Sequence, residues 1–160
     1  MLFFGALATC KYAAGEEIGW RGYMLTRLVD SGIGAPILIS GLVWGLWHAP
    51  LIVSGQYAAG PHPILSLGLF LAGIVAAGYV FAWLRPSSGS IWPCIWGHAV
   101  WNAVIQGAFD RSTSGGSVWV GESGVLTAAV LILFAIAVYK VWPLAQPSLH
   151  RNRVVMSSTA

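Results

Sequence analysis

The stretch ILSLGLFLAGIVAAGYVFAWL, residues 64–84, contains no charged side chain and decides the class of fold. A helix rises about 1.5 Å per residue, so about 20 apolar residues are needed to cross the hydrocarbon core of a bilayer. Three other stretches are similarly long and apolar, namely Ile33–Val53, Ile91–Phe109 and Ser123–Trp142. A fifth runs from Leu2 to about Leu28 and is interrupted by charged residues. The pattern predicts an all-α, multi-span transmembrane helical bundle with about five spans.

The composition excludes several classes of protein. Of the 160 residues, 57% are hydrophobic and 8% are charged. Soluble domains carry charge on about a quarter of their residues, so lipid is the expected solvent here. The net charge of +3 comes from eight Lys and Arg that form no basic stripe, which excludes a nucleic-acid partner. Cys10 and Cys94 lie inside apolar stretches and fit neither a disulfide framework nor a cysteine-based zinc site.

The basic residues are distributed unevenly between the predicted loops. Arg111 lies on one side of the membrane, and the other side carries Arg27, Arg85, Lys140, Arg151 and Arg153. The positive-inside rule makes the second side cytoplasmic. We therefore predict a membrane-embedded domain over residues 1–142 and a short cytoplasmic tail over 143–160. The Ala, Gly and Trp content points to a bacterial plasma membrane. The chain begins close to its charged cluster, and we expect it to be part of a larger multi-span protein.

Ionisable residues within the spans are the main functional signal, because burying a charge in a bilayer is costly. They are Glu16, Glu17, Arg21, His48 and His98. Measured from the predicted helix ends, the polar residues of three helices lie at similar depths in the membrane. Glu17 and Arg21 are four residues apart and face each other, which predicts an ion pair. Glu16 points about 100° away from that pair and is the carboxylate available as a general base. His98 and Asn102 are also four residues apart and can both donate to an oxyanion.

Three short motifs carry a resemblance to a known family. EEIGWR, residues 16–21, resembles the EExxxR motif of the CAAX-protease and bacteriocin-processing family of intramembrane proteases, called CPBP or Abi. WGLWH, residues 44–48, resembles its FxxxH motif, and HAVWN, residues 98–102, resembles its HxxxN motif. The three occur in the family's order, and each lies on an apolar stretch.

The resemblance implies an intramembrane endopeptidase that hydrolyses a peptide bond with an activated water molecule. Glu16 would act as general base with His48 as its partner, and His98 with Asn102 would bind the oxyanion. The second Glu and the Arg of the first motif would form the structural ion pair. The implied partners are a peptide or membrane-protein substrate and the lipid bilayer. Aromatic residues close to the polar positions are expected to line the cavity: Trp44, Trp47 and Trp101.

Two departures from the family pattern leave alternatives open. The second motif has Trp44 in place of Phe, and the helices that precede the first motif in the family are absent. The alternative is a catalytically silent immunity or binding protein of the same fold. A proton-coupled or ion transporter is a third hypothesis, although the sequence has no inverted repeat to support it.

We expect no metal cofactor, with zinc as the alternative. Glu16, His48 and His98 would be the zinc ligands, since two imidazoles and a carboxylate suit a catalytic zinc ion with an open water position. The HExxH arrangement that is common in zinc peptidases is absent from the sequence.

Overall fold

The computed structural model describes residues 2–58, 60–110 and 117–142, and these residues form helices and loops without a strand. The first helix, α1, is one unbroken run made of Leu2–Glu17, the π-helical Ile18–Met24 and Leu25–Asp30. The others are α2 (Pro36–Val53), α3 (Pro63–Ser88), α4 (Trp92–Trp101 followed by the π-helical Asn102–Phe109) and α5 (Val125–Val141). The prediction of an all-helical chain is confirmed for the described residues.

Proline and left-handed residues set several helix ends a few residues away from the predicted ones. Pro36 and Pro63 occupy the first position of α2 and α3, where the missing N–H of proline costs no hydrogen bond. Ala35, before α2, has φ 55°, and Gly89, after α3, has φ 66°. Helix α3 therefore extends past the predicted end at Leu84, to the glycine that can adopt the left-handed conformation.

Among the described residues, α2 and α3 are long and apolar enough to cross a membrane, and α5 is apolar but shorter. Large apolar side chains point outward on several helices, for example Phe4, Ile64 and Leu133. Both observations are consistent with a helical membrane protein, whereas the number of five spans stays a prediction. The predicted tail, residues 143–160, lies outside the described residues.

The helices pack so that α2 lies against α3, α1 against α4, and α3 against α5. Two glycines of α2 allow a close approach to α3. A Cβ atom at Gly41 would lie 3.2 Å from Val75 Cα, and one at Gly45 would lie 2.6 Å from Leu71 Cδ2 and 2.8 Å from Ile74 Cγ2. The central core cluster consists of Trp44, Ile52, Phe70, Ile74, Phe81 and Cys94. This packing brings the polar residues of α1, α2 and α4 to one side of the core.

Candidate active site

A cavity of about 410 Å³ lies between the helices. Glu16 of α1, His48 of α2, and His98 and Asn102 of α4 all line it. The three tryptophans that were expected to line a cavity, Trp44, Trp47 and Trp101, are also in its wall. The structure thus brings together side chains from three helices that are far apart in the sequence.

Glu17 and Arg21 form a buried ion pair, with 2.7 Å between Arg21 Nη1 and Glu17 Oε1. Both side chains are almost inaccessible, at 0% and 2% exposure. The Arg21 guanidinium also lies 4.0 Å from the centre of the Trp44 ring, an arrangement in which the aromatic face attracts the cation. The π-helical run that begins at Ile18 contains this arginine, and such irregular turns are frequent at functional sites.

His98 is fixed by the same carboxylate. Its Nδ1 donates to Glu17 Oε1 over 2.8 Å, so Glu17 accepts hydrogen bonds from both Arg21 and His98. A carboxylate can only accept, which places a proton on Nδ1 and turns Nε2 away from Glu17. His98 Nε2 lies 4.0 Å from Glu16 Oε1. Helical spacing predicts the ion pair but not this contact, because 81 residues separate Glu17 and His98.

Glu16 has two aromatic donors that the sequence analysis did not anticipate. Its Oε2 accepts hydrogen bonds from Trp44 Nε1 at 2.8 Å and from Trp20 Nε1 at 3.4 Å. The Glu16 side chain is 25% exposed, whereas that of Glu17 is fully buried. Trp20 is four residues from Glu16, a spacing that could have revealed it, whereas Trp44 lies on another helix and 28 residues away.

His48 is held by its own helix and by aromatic rings. Its Nδ1 is 2.9 Å from the carbonyl oxygen of Trp44. A carbonyl can only accept, so the bond places the proton on Nδ1 and leaves the lone pair of Nε2 available. The imidazole stacks on Tyr57 with 5.1 Å between ring centres, and the Trp47 ring lies nearly perpendicular to it with 4.8 Å between ring centres.

Asn102 begins the π-helical part of α4 and is 9% exposed. Its Oδ1 is buried and has no hydrogen-bond partner among the described residues. An unpaired buried amide oxygen is unfavourable, so this carboxamide is a group that gains from a ligand in the cavity.

A second polar cluster in the cavity wall was not predicted. Glu122, in the loop before α5, accepts hydrogen bonds through Oε1 from Trp101 Nε1 at 2.8 Å and from Gln106 Nε2 at 3.2 Å. Gln106 Nε2 also donates to the hydroxyl of Tyr57 at 2.8 Å. The sequence offered little to find this cluster, because Glu122 lies at the end of a Gly- and Ser-rich loop and belongs to no motif.

Within the described residues, no group of three or more His, Cys, Asp and Glu side chains is arranged to hold a metal ion. The zinc alternative, with Glu16, His48 and His98 as ligands, stays a hypothesis. Both imidazoles use Nδ1 for hydrogen bonds to protein oxygens and keep Nε2 unbonded to them.

Comparisons with known proteins agree with the motifs. The family model described as type II CAAX prenyl endopeptidase Rce1-like matches residues 1–104, a range that includes all three motifs. A curated relative, CAAX prenyl protease 2 of Methanococcus maripaludis, is 40% identical over 75 residues, which cover 43% of this chain and 27% of the relative. The matched part is thus about a quarter of the relative's length. No solved structure matches the chain.

Proposed function

Because this chain belongs to the type II CAAX prenyl endopeptidase Rce1-like family, we propose that it is an endopeptidase that hydrolyses a peptide bond at the membrane. The observation that carries the proposal is the convergence of Glu16, His48, His98 and Asn102 on one cavity. General bases and oxyanion donors must lie around a common space to act on one carbonyl group.

In the proposed reaction, Glu16 and the Nε2 lone pair of His48 orient and deprotonate a water molecule. The hydroxide attacks the carbonyl carbon of the substrate, and Glu16 holds the abstracted proton. When the tetrahedral intermediate collapses, the C–N bond breaks and the proton passes to the leaving amine. The indole N–H groups that hold Glu16 Oε2 leave Oε1 for the water molecule.

The oxyanion of the intermediate is proposed to bind between His98 and Asn102. Asn102 would donate through its amide nitrogen. His98 would donate through Nε2, which requires a second ring proton, since Nδ1–H already serves Glu17.

We propose a substrate that is itself held at the membrane, either a prenylated peptide, as the names of the family and of the curated relative suggest, or another membrane-anchored segment. The proposed reaction uses no metal ion. Arg85 near the end of α3 and Lys140 near the end of α5 support a cytoplasmic position for those ends of the helices.

The test is hydrolysis of internally quenched peptides by the full chain in proteoliposomes, with a farnesylated CAAX peptide and its unmodified form as substrates. Glu16→Gln and His48→Ala should each reduce kcat by about 10²–10⁴-fold, the usual contribution of a general base. His62→Ala is the matched control, because this exposed histidine lies in the loop before α3. Wild-type hydrolysis by the Glu16→Gln protein would contradict the mechanism. Loss of activity with a chelator and its recovery with zinc would contradict the metal-free form of the reaction.

One observation favours the second candidate, a binding protein that does not cleave. Trp44 stands where the family motif has Phe, and its indole occupies one oxygen of Glu16, a bond that a phenyl ring cannot make. In this case the wild-type protein would bind the peptides without cleaving them, and binding would survive the Glu16→Gln change.

A further inference from the structure

The cavity has a second acidic position besides Glu16. Glu122 lines it, yet its side chain is only 8% exposed. Its Oε1 accepts two hydrogen bonds, from Trp101 and Gln106. Its Oε2 is buried and has no partner among the described residues. One oxygen therefore fixes the orientation of the carboxylate, and the other is available to a ligand.

Among the described lining residues, the charge of Glu122 has no lysine or arginine partner. The described lining residues include Glu16 and Glu122 but neither Lys nor Arg. The donors that hold Glu122 Oε1 are an indole and an amide, both neutral. A buried carboxylate without a cation is strongly unfavourable, so a positively charged group that entered the cavity would be stabilised there.

We propose that Glu122 binds a basic side chain, lysine or arginine, of the peptide that occupies the cavity. That this peptide is the substrate rests on the proposed function. The aromatic rings of Trp101 and Tyr57, which also line the cavity, can contact the aliphatic part or the charged end of such a side chain. Glu122 is thus a specificity-determining residue, separate from the groups that would act on the peptide bond.

The experiment separates binding from hydrolysis. The full chain carrying Glu16→Gln is reconstituted in nanodiscs, and the binding of short peptides is followed by tryptophan fluorescence. One lysine is moved through each position of the peptide, and every lysine peptide is compared with the norleucine peptide at the same position. At one position, lysine should bind about tenfold more tightly than norleucine, the expected gain from a hydrogen bond to a charged group.

Glu122→Gln should reduce this preference to about twofold or less. The new amide oxygen can still accept from Trp101 and Gln106, so the variant should fold. Asp110→Asn is the matched control, because Asp110 is a neighbouring carboxylate that contacts the Glu122 N–H and does not line the cavity. It removes the same charge and should leave the preference unchanged.

Equal binding of the lysine and norleucine peptides at every position would overturn the inference. An equal loss of preference in Asp110→Asn and Glu122→Gln would also overturn it, since the overall negative charge of the region would then explain the lysine preference. Cleavage by the wild-type protein without any lysine preference would contradict this inference but not the proposed function. A lysine preference that depends on Glu122 in a chain that cleaves nothing supports the site and contradicts the proposed function alone.

Discussion

Trp44 connects the two residues proposed to activate water. Its indole Nε1 donates to Glu16 Oε2 over 2.8 Å, and its backbone carbonyl accepts from His48 Nδ1 over 2.9 Å. One residue of α2 therefore holds a carboxylate of α1 and sets the tautomer of the imidazole one turn further along its own helix. The side-chain bond depends on the identity of Trp44, whereas the backbone bond does not.

Trp44→Phe should reduce kcat by about tenfold and change KM little. The change removes the hydrogen bond that orients the Glu16 carboxylate, and a hydrogen bond to a charged group contributes about 1.5–3 kcal/mol. The phenyl ring retains part of the packing against Phe81 and Arg21. Steady-state hydrolysis of the quenched peptides measures both constants.

Trp20→Phe is the control for this prediction, because its bond to Glu16 is longer, at 3.4 Å. We expect an effect of less than about threefold on kcat, in keeping with a weaker hydrogen bond. A faster reaction in Trp44→Phe would show instead that the indole restrains the carboxylate, which is what the silent binding protein requires.

Arg21→Met should destabilise the protein by about 3–5 kcal/mol, because it removes the guanidinium that pairs with the buried Glu17 carboxylate. The matched control is Arg27→Met. Arg27 pairs with Asp30 at 3.1 Å, but both side chains are exposed, at 61% and 43%. An exposed pair contributes about 0–1 kcal/mol, so the control should unfold almost like the wild type. Thermal unfolding in detergent, followed by circular dichroism, measures both, and equal losses would contradict the role given to the buried pair.

Gly45→Ala should lower stability by about 1–3 kcal/mol, the usual cost of overpacking. The new methyl group would lie 2.6 Å from Leu71 Cδ2 and 2.8 Å from Ile74 Cγ2, so these side chains must move or the α2–α3 contact must open. Gly68→Ala on α3 is the control, because a Cβ atom there meets nothing within 4 Å. The control should unfold at the wild-type temperature or slightly above it, since Ala favours a helix over Gly. A wild-type melting temperature for Gly45→Ala would show that the helices are less closely packed than the structure indicates.

Tyr57, in the loop between α2 and α3, should make stability depend on alkaline pH. Burial, with the nearby negative charges of Glu122 and Glu16, raises the pKa of its phenol well above the ordinary value. The unfolded chain releases this proton near pH ~10 while the folded chain keeps it, so stability is retained below pH ~10 and falls above it. The loss is at most about 1.4 kcal/mol per pH unit.

Tyr57→Phe removes this titration. At pH ~8 the variant should be less stable than the wild type by about 1 kcal/mol, because the hydrogen bond from Gln106 is lost. Between pH ~10 and ~11 the difference should shrink or reverse. Thermal unfolding across this range measures it, and a constant difference would contradict the assignment.

The predicted helices and the residues of the three motifs follow from local patterns. The apolar run of residues 64–84 predicts α3 because only a helix satisfies its own backbone in lipid. The four-residue spacing places Glu17 next to Arg21 in any helical backbone. The extension of α3 beyond Leu84 and the two π-helical runs were not predicted, because helix ends and irregular turns depend on single residues and on neighbouring helices.

The sequence by itself determined a helical, lipid-compatible chain and the polar residues it buries, since apolar length and helical spacing are local properties. Only the tertiary structure decided that Glu17 holds His98, that Trp44 holds Glu16, and that Glu122 enters the same cavity. These contacts join residues that are 81 and 28 positions apart in the first two cases. The first two exist because α1 packs on α4 and contacts α2, and interhelical packing depends on side-chain shape rather than on the spacing within one helix.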